Sequence, residues 1–319
     1  MSDLLLSNLL SPVVLAFALG VAARAMGSDL RLPKDLYTSL SVYLLFALGL
    51  KGGVELSEAE LSAIAGPALA TLILGCVTPV SAYLALRRLG GFEKVDAAAI
   101  AAHYGSVSAV TFIAAQTFAE ERNGHLEGFL PTLLALLECP GITIALALGV
   151  VGSNHGRPLR DTMHEILTGR AVVLLVGGLV IGAAVGRDGW SPVAPFFEGG
   201  FKGALTLFLL EMGTLTAERL GDLRKVGVFL VAFGIAIPVV HGALGAALGS
   251  WAGLSVGGAA VLAAMAASAS YIAAPPAVRA TLPAANPTFY LTASLAITFP
   301  FNMIVGIPLY YEMAVLLQR

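Results

Sequence analysis

The sequence predicts an all-α membrane protein: ten transmembrane helices in two inverted five-helix repeats, with broken helices at the midplane. Three observations predict it. Hydrophobic residues make up 57% of the chain and charged residues 12%, and mean hydropathy is +0.86, far above what a soluble core of this size requires. Ten apolar stretches approach the length of about 20 residues that a membrane crossing needs. Two of them, 95–118 and 255–282, break at mid-length on a Ser-x-Ser step. The steps are Ser106-Val107-Ser108 and Ser268-Ala269-Ser270, 162 residues apart in a chain of 319.

The ten stretches are 9–26, 36–53, 60–86, 95–118, 128–152, 166–186, 195–214, 225–250, 255–282 and 287–317. The first could pass for a signal peptide, but its leading residues carry Asp3 and no Lys or Arg, so it reads as a retained span. Alternate loops hold thirteen of the eighteen basic residues, including Arg24, Arg31, Lys34, Arg219, Arg224 and Lys225. The bias places the basic loops in the cytoplasm and both termini outside. Ten spans with a repeat make five per half, so the second half enters from the opposite face. The division is then 1–152 for the first repeat, 153–165 for a cytoplasmic connecting loop and 166–319 for the second repeat. Segments 49–56 and 213–220 echo each other, and Pro140 and Pro300 sit at mid-span 160 residues apart.

Composition also excludes some functions. A net charge of −2 offers no basic surface for nucleic acid, and Cys76 and Cys139 both fall in apolar segments, against a structural disulfide. No Asp-x-x-x-Asp pair is present to hold a Mg²⁺-diphosphate, so an intramembrane prenyltransferase is not expected, nor any other enzyme. A bound-ligand sensor remains an option, although no output domain is expected after the spans. Thirty-six Gly and sixteen Pro suit close helix packing and interrupted helices.

A helix interrupted inside the bilayer leaves unpaired backbone groups, tolerable only where they line a cavity or hold a ligand. Matched interruptions in two halves point to a transporter's binding site. Where a helix restarts, its free N–H groups carry the positive end of the helix dipole, and small residues admit an anion. The candidate anion-binding residues are therefore Gly105, Ser106, Val107, Ser108 and Thr111 in one half. In the other they are Ser268, Ala269, Ser270 and Tyr271, followed by Pro275-Pro276 to restart the helix. Ser and Gly at these places also permit close packing, the plainer explanation.

Ionisable groups within spans cost roughly 2.5–3.5 kcal/mol each, so they tend to mark function. Glu138 stands beside Pro140, whose missing N–H frees a carbonyl one turn back. A carboxylate with freed carbonyls and hydroxyls suits Na⁺. Ser294, Thr298 and Asn302 offer neutral oxygens in the partner span. The competing reading of Glu138 is a protonated carboxyl bonded to a neighbouring helix. His103 reads as a neutral core histidine or a proton shuttle. Glu211 reads as interfacial, His241 as packing, and Trp190 and Trp251 as membrane anchors in outer loops.

Met212-Gly213 and Arg219-Leu220-Gly221-Asp222-Leu223-Arg224-Lys225 carry a family likeness. So do Pro275-Pro276-x-x-Arg279-Ala280, Pro283, Ala285-Asn286-Pro287, Ser294, Pro300 and Gly306-Ile307-Pro308-Leu309-Tyr310. In these stretches the chain resembles the sodium-dependent bicarbonate transporters of the SbtA type. The resemblance implies a core and a gate subdomain and a homotrimer in a bacterial cytoplasmic (inner) membrane. It implies bicarbonate uptake coupled to Na⁺, with no other cofactor, and inhibition by a PII-like protein at the cytoplasmic face. The family pattern has acidic residues where this chain has Tyr271 and Leu215, and Asp where it has Glu138. An uncoupled or proton-linked carrier of another small organic anion is the alternative, with Tyr271 stacking against a larger substrate.

Overall fold

A computed structural model describes residues 2–122, 124–150, 163–164 and 166–319, and among them there is no strand. The connecting loop expected at 153–165 lies outside the described residues except for Met163 and His164, as do Arg157 and Arg160. The helices are α1 (Ser2–Leu9), α2 (Pro12–Ala25), α3 (Lys34–Glu58), α4 (Leu61–Arg88), α5 (Lys94–Gly105), α6 (Ala109–Glu120) and α7 (Leu130–Val150). They continue as α8 (Arg170–Trp190), α9 (Phe201–Leu220), α10 (Leu223–Trp251), α11 (Val256–Ala266), α12 (Ala274–Thr281) and α13 (Pro287–Leu317). Among the described residues seven segments are long and apolar enough to cross a membrane: α3, α4, α5 with α6, α7, α8, α10 and α13. The helices α2 and α11 are apolar but shorter. The chain is thus a multi-pass, all-helical membrane protein. Exposed Leu69, Leu72, Ile73, Val77, Val80 and Leu84 form a stripe on α4. Their spacing of three and four residues turns one helix face outward, an apolar face suited to lipid.

Two differences from the sequence expectation have local causes. The first span starts at Pro12 rather than at residue 9: a separate helix, α1, precedes it, and Ser11 caps α2 by accepting the Val14 N–H at 3.3 Å. Pro12 follows at the first helical position, where its missing N–H is harmless. Trp190 and Trp251 are the last residues of α8 and α10 rather than loop residues. Both cysteines are free.

The helices form two packed groups. In one, α2 lies on α9 and α3 on α8. These crossings are close enough to require glycine. A β-carbon at Gly20 would strike the Leu210 carbonyl, and one at Gly213 the Phe17 carbonyl. Across the other pair, Gly182 meets Leu50 and Gly53 meets Leu179 in the same way. Small residues at such crossings give the van der Waals contact that holds helices together in lipid. The ends match too: Arg24 reaches Glu218 at 3.6 Å on the α2–α9 pair, and Arg187 forks onto both carboxylate oxygens of Glu58 on the α3–α8 pair.

The second group gathers α4, α5, α6, α7, α10, α11 and α13. The broken segment α5–α6 is almost wholly enclosed, whereas α8 and α10 turn much of their surface outward. Prolines interrupt helices in this group, and near three of them the released carbonyls are satisfied from other helices. Pro238 frees Gly234 O, which accepts from Thr298 Oγ1 at 2.7 Å. Pro300 lies in a helix widened to π geometry at Thr292–Thr298; Leu295 O, five residues before it, accepts from Thr216 at 3.2 Å. Pro308 likewise leaves Met303 O and Ile304 O to the Asn8 amide at 2.7 and 3.3 Å.

Candidate functional site

α5 stops at Gly105 because Gly141 of α7 is pressed against its backbone, so that a β-carbon on either glycine would collide with the other's carbonyl region. Ser106 and Ser108 are then extended. Ser108 caps α6 by accepting the Thr111 N–H at 3.2 Å. Among the described residues no acceptor meets the N–H groups of Ala109 and Val110. They form the open, electropositive start of α6.

The second break is longer. α11 ends at Ala266, residues 267–273 are non-helical, and α12 begins at Ala274. Ser270 Oγ accepts from the Ala273 and Ala274 N–H groups at 3.2 and 3.3 Å. Pro275 and Pro276 have no N–H at all. Of the first three positions of α12, one N–H is thus capped and two are absent, so this turn offers fewer donors than the first turn of α6.

The two breaks cross and bond to each other. The Ser108 N–H donates to Ser268 Oγ at 2.8 Å, and the Ser268 hydroxyl donates on to Met265 O at 2.8 Å. The Ser270 N–H donates to His103 O at 2.8 Å. The Ser108 hydroxyl lies 3.4 Å from the Tyr271 hydroxyl. Tyr271 in turn sets its ring edge-on to Phe299, with centroids 5.3 Å apart.

Beside the crossing is a cavity of about 20 Å³, lined by Val107, Ser108 and Ala109 from the first break and Ser270 to Ala273 from the second. It holds about one water-sized group. Glu138 of α7 lines it as well; its carboxyl faces the Val107 N–H and the Ser106 hydroxyl. That hydroxyl is buried and completes no hydrogen bond of its own. Pro140 frees the carbonyl of Leu136, to which no side chain donates among the described residues. The cavity shares Glu138, Ala171, Ile272 and Ala273 with a vestibule of about 250 Å³ that has Arg170 in its wall. A third cavity, of about 410 Å³, lies toward the C-terminal end of α6. It holds Lys51, Glu55, Glu120, Glu127, Glu198 and Lys202, and shares no residue with the small one.

Of the residues proposed from sequence, Val107, Ser108, Ser270, Tyr271 and Glu138 meet at the cavity. Gly105 serves the α5–α7 contact, and Ser268 serves the crossing. Ala269 packs in the apolar core, and the Thr111 hydroxyl is buried without a partner. Ser294, Thr298 and Asn302 lie outside the cavity lining. Ser294 bonds its own helix at Tyr290 O, 2.7 Å away. Thr298 receives the Tyr104 hydroxyl at 2.6 Å. Asn302 donates to Ala267 O at 3.0 Å and accepts from Tyr310 at 2.8 Å. Glu211 is buried, its carboxylate accepting the Leu32 N–H at 2.8 Å. His241 sits 2.8 Å from Ser81 Oγ. Sequence reasoning passed over Tyr104, whose signal was a lone phenol at the end of an alanine-rich helix. It also passed over Arg170 in the vestibule.

The family model of the Na⁺-dependent bicarbonate transporter superfamily matches residues 12–315. No curated protein matches the chain. The chain belongs to that superfamily, a family of transporters and not of enzymes.

Proposed function

We propose, from that membership and from the cavity at the crossing, that this protein takes up bicarbonate together with Na⁺ by alternating access. The observation that carries the reading is that Glu138 and both breaks line one small cavity. Neutral donors for an anion line the cavity: the Ala109 N–H and the hydroxyls of Ser108, Ser270 and Tyr271, with the Val110 N–H next along the start of α6. For a cation the Glu138 carboxylate lines the cavity, the Ser106 hydroxyl faces that carboxyl, and the freed Leu136 carbonyl lies two residues earlier on the same helix. With Glu138 ionised, an anion ~5 Å from it meets a repulsion of about 3 kcal/mol at an effective dielectric of ~20. A Na⁺ beside the carboxylate cancels that repulsion, so the anion binds only in its company. Coupling follows from charge alone. A cavity of about 20 Å³ favours a small inorganic anion over a larger organic acid.

Two matched pairings support ten spans in inverted repeats. Each joins the first helix of one half to the second helix of the other, through glycine crossings and an Arg–Glu pair at corresponding places. On this reading α2, α3, α8 and α9 are the gate, and the group around α5, α6, α11 and α13 is the core. The homotrimer, the termini outside and a PII-like partner are proposals from the family and the basic loops. Arg219, Asp222 and Lys225 form an exposed ion-pair cluster suited to such a partner. The test is uptake of labelled bicarbonate into liposomes holding the purified protein. Uptake should need an inward Na⁺ gradient and ignore a proton gradient; Na⁺-independent or proton-driven uptake would overturn the coupling.

A further inference from the structure

We propose that His103 is a positioning residue: its Nδ1–H and its carbonyl together clamp the Ser270 peptide and hold the second break in register with the first. The proposal rests on the reading that the crossing is the binding site. His103 is fully buried one turn before the first break. Its backbone oxygen accepts the Ser270 N–H at 2.8 Å. Its ring Nδ1 lies 2.5 Å from the Ser270 carbonyl oxygen. A carbonyl oxygen only accepts, so Nδ1 carries the proton and Nε2 is a bare acceptor. One residue thus grips both polar groups of Ser270, as a pair of strands grips a ladder rung.

The second break needs such a grip more than the first. It has seven non-helical residues, and its restart is capped by Ser270 Oγ itself. If the Ser270 peptide rotates, the cap on α12 and the hydroxyl at the cavity move with it.

Packing alone does not account for an imidazole here. The ring stacks on Tyr290 with centroids 4.7 Å apart, a contact phenylalanine would make equally well. Imidazole instead leaves Nε2 buried and unpartnered, a cost that a phenyl ring would avoid. What the histidine adds over phenylalanine is the Nδ1–H.

The test compares His103→Asn with His103→Phe in the full-length protein. The Asn amide nitrogen stands at the place of Nδ1 and keeps the donor while losing the ring; Phe keeps the ring and loses the donor. In liposomes the Asn variant should keep its KM for bicarbonate within about threefold of wild type, and the Phe variant should raise it about tenfold or more. Deuterium exchange across 268–273, measured without substrate, should be faster in the Phe variant than in the Asn variant. A Phe variant that behaves like wild type overturns the clamp. So does an Asn variant as impaired as Phe with an unchanged melting temperature, or exchange equal in both variants. If wild type takes up no bicarbonate, the transport reading falls by itself, and the exchange measurement still decides the clamp.

Discussion

The two breaks share a sequence signature but not a chemistry. At the first, three extended residues end in a serine cap, and α6 opens with two uncommitted N–H groups. At the second, seven residues intervene, the cap takes the Ala273 and Ala274 N–H groups, and two prolines supply none. The first faces the Glu138 carboxylate; the second faces Tyr271 against Phe299. A repeated motif therefore fixes where the chain is interrupted, while its surroundings decide what the interruption binds. The electropositive start and the carboxylate both sit at the first break. The second contributes hydroxyls and shape.

This asymmetry can be broken most severely by filling the cavity. Ser108→Leu should abolish uptake, because it removes a cap, a hydroxyl and most of about 20 Å³ at once. Ser270→Leu should do the same by uncapping α12. Membrane insertion should be normal in both, as size-exclusion profiles would check, and near-wild-type uptake in either would refute its place at the cavity. A milder change separates the breaks. Ser108→Ala removes the cap at the electropositive start, worth ~1 kcal/mol. It should raise the KM for bicarbonate roughly five- to tenfold, measured by initial rates. Tyr271→Phe keeps the ring on Phe299 and removes only a 3.4 Å hydroxyl contact. A weakening of about twofold to threefold in apparent affinity is expected.

The smallest effect should come from the loop that touches neither break. The Lys225 ammonium bonds Asp222 at 2.7 Å and, with Arg219, holds its carboxyl below the usual carboxylate range. A depressed value stabilises the folded loop above the unfolded pKa near 3.9 and is lost as pH falls through the lower, folded value. Asp222→Asn should leave uptake at pH 7 within about twofold, since exposed pairs contribute little. A large loss would give this loop a part in transport.

Much of the architecture was legible because it is local. Apolar runs of the right length, Ser caps and mid-span prolines each act within a turn or two of their own position. The breaks announced themselves by composition, and the echo of 49–56 in 213–220 marked the stretches that hold crossing glycines Gly53 and Gly213. What was not legible is which distant group meets which. Thr298 and Asn302 were visible as oxygens, but not that they satisfy Gly234 O and Ala267 O. Those bonds span 64 and 35 residues, and no local pattern encodes them. α1 was missed because a short helix ending at Asn8 and Leu9 blends into the span that follows.

The central claim is that Glu138 couples the cation to the anion across one cavity. The most direct measurement is bicarbonate uptake against Na⁺ concentration in wild type and in Glu138→Gln, at two pH values. The amide keeps the shape and removes the charge, so Na⁺ activation should move at least about tenfold higher, in keeping with a lost interaction of ~1.4 kcal/mol or more, with wild type insensitive to pH. An unchanged Na⁺ curve in the variant would contradict the claim.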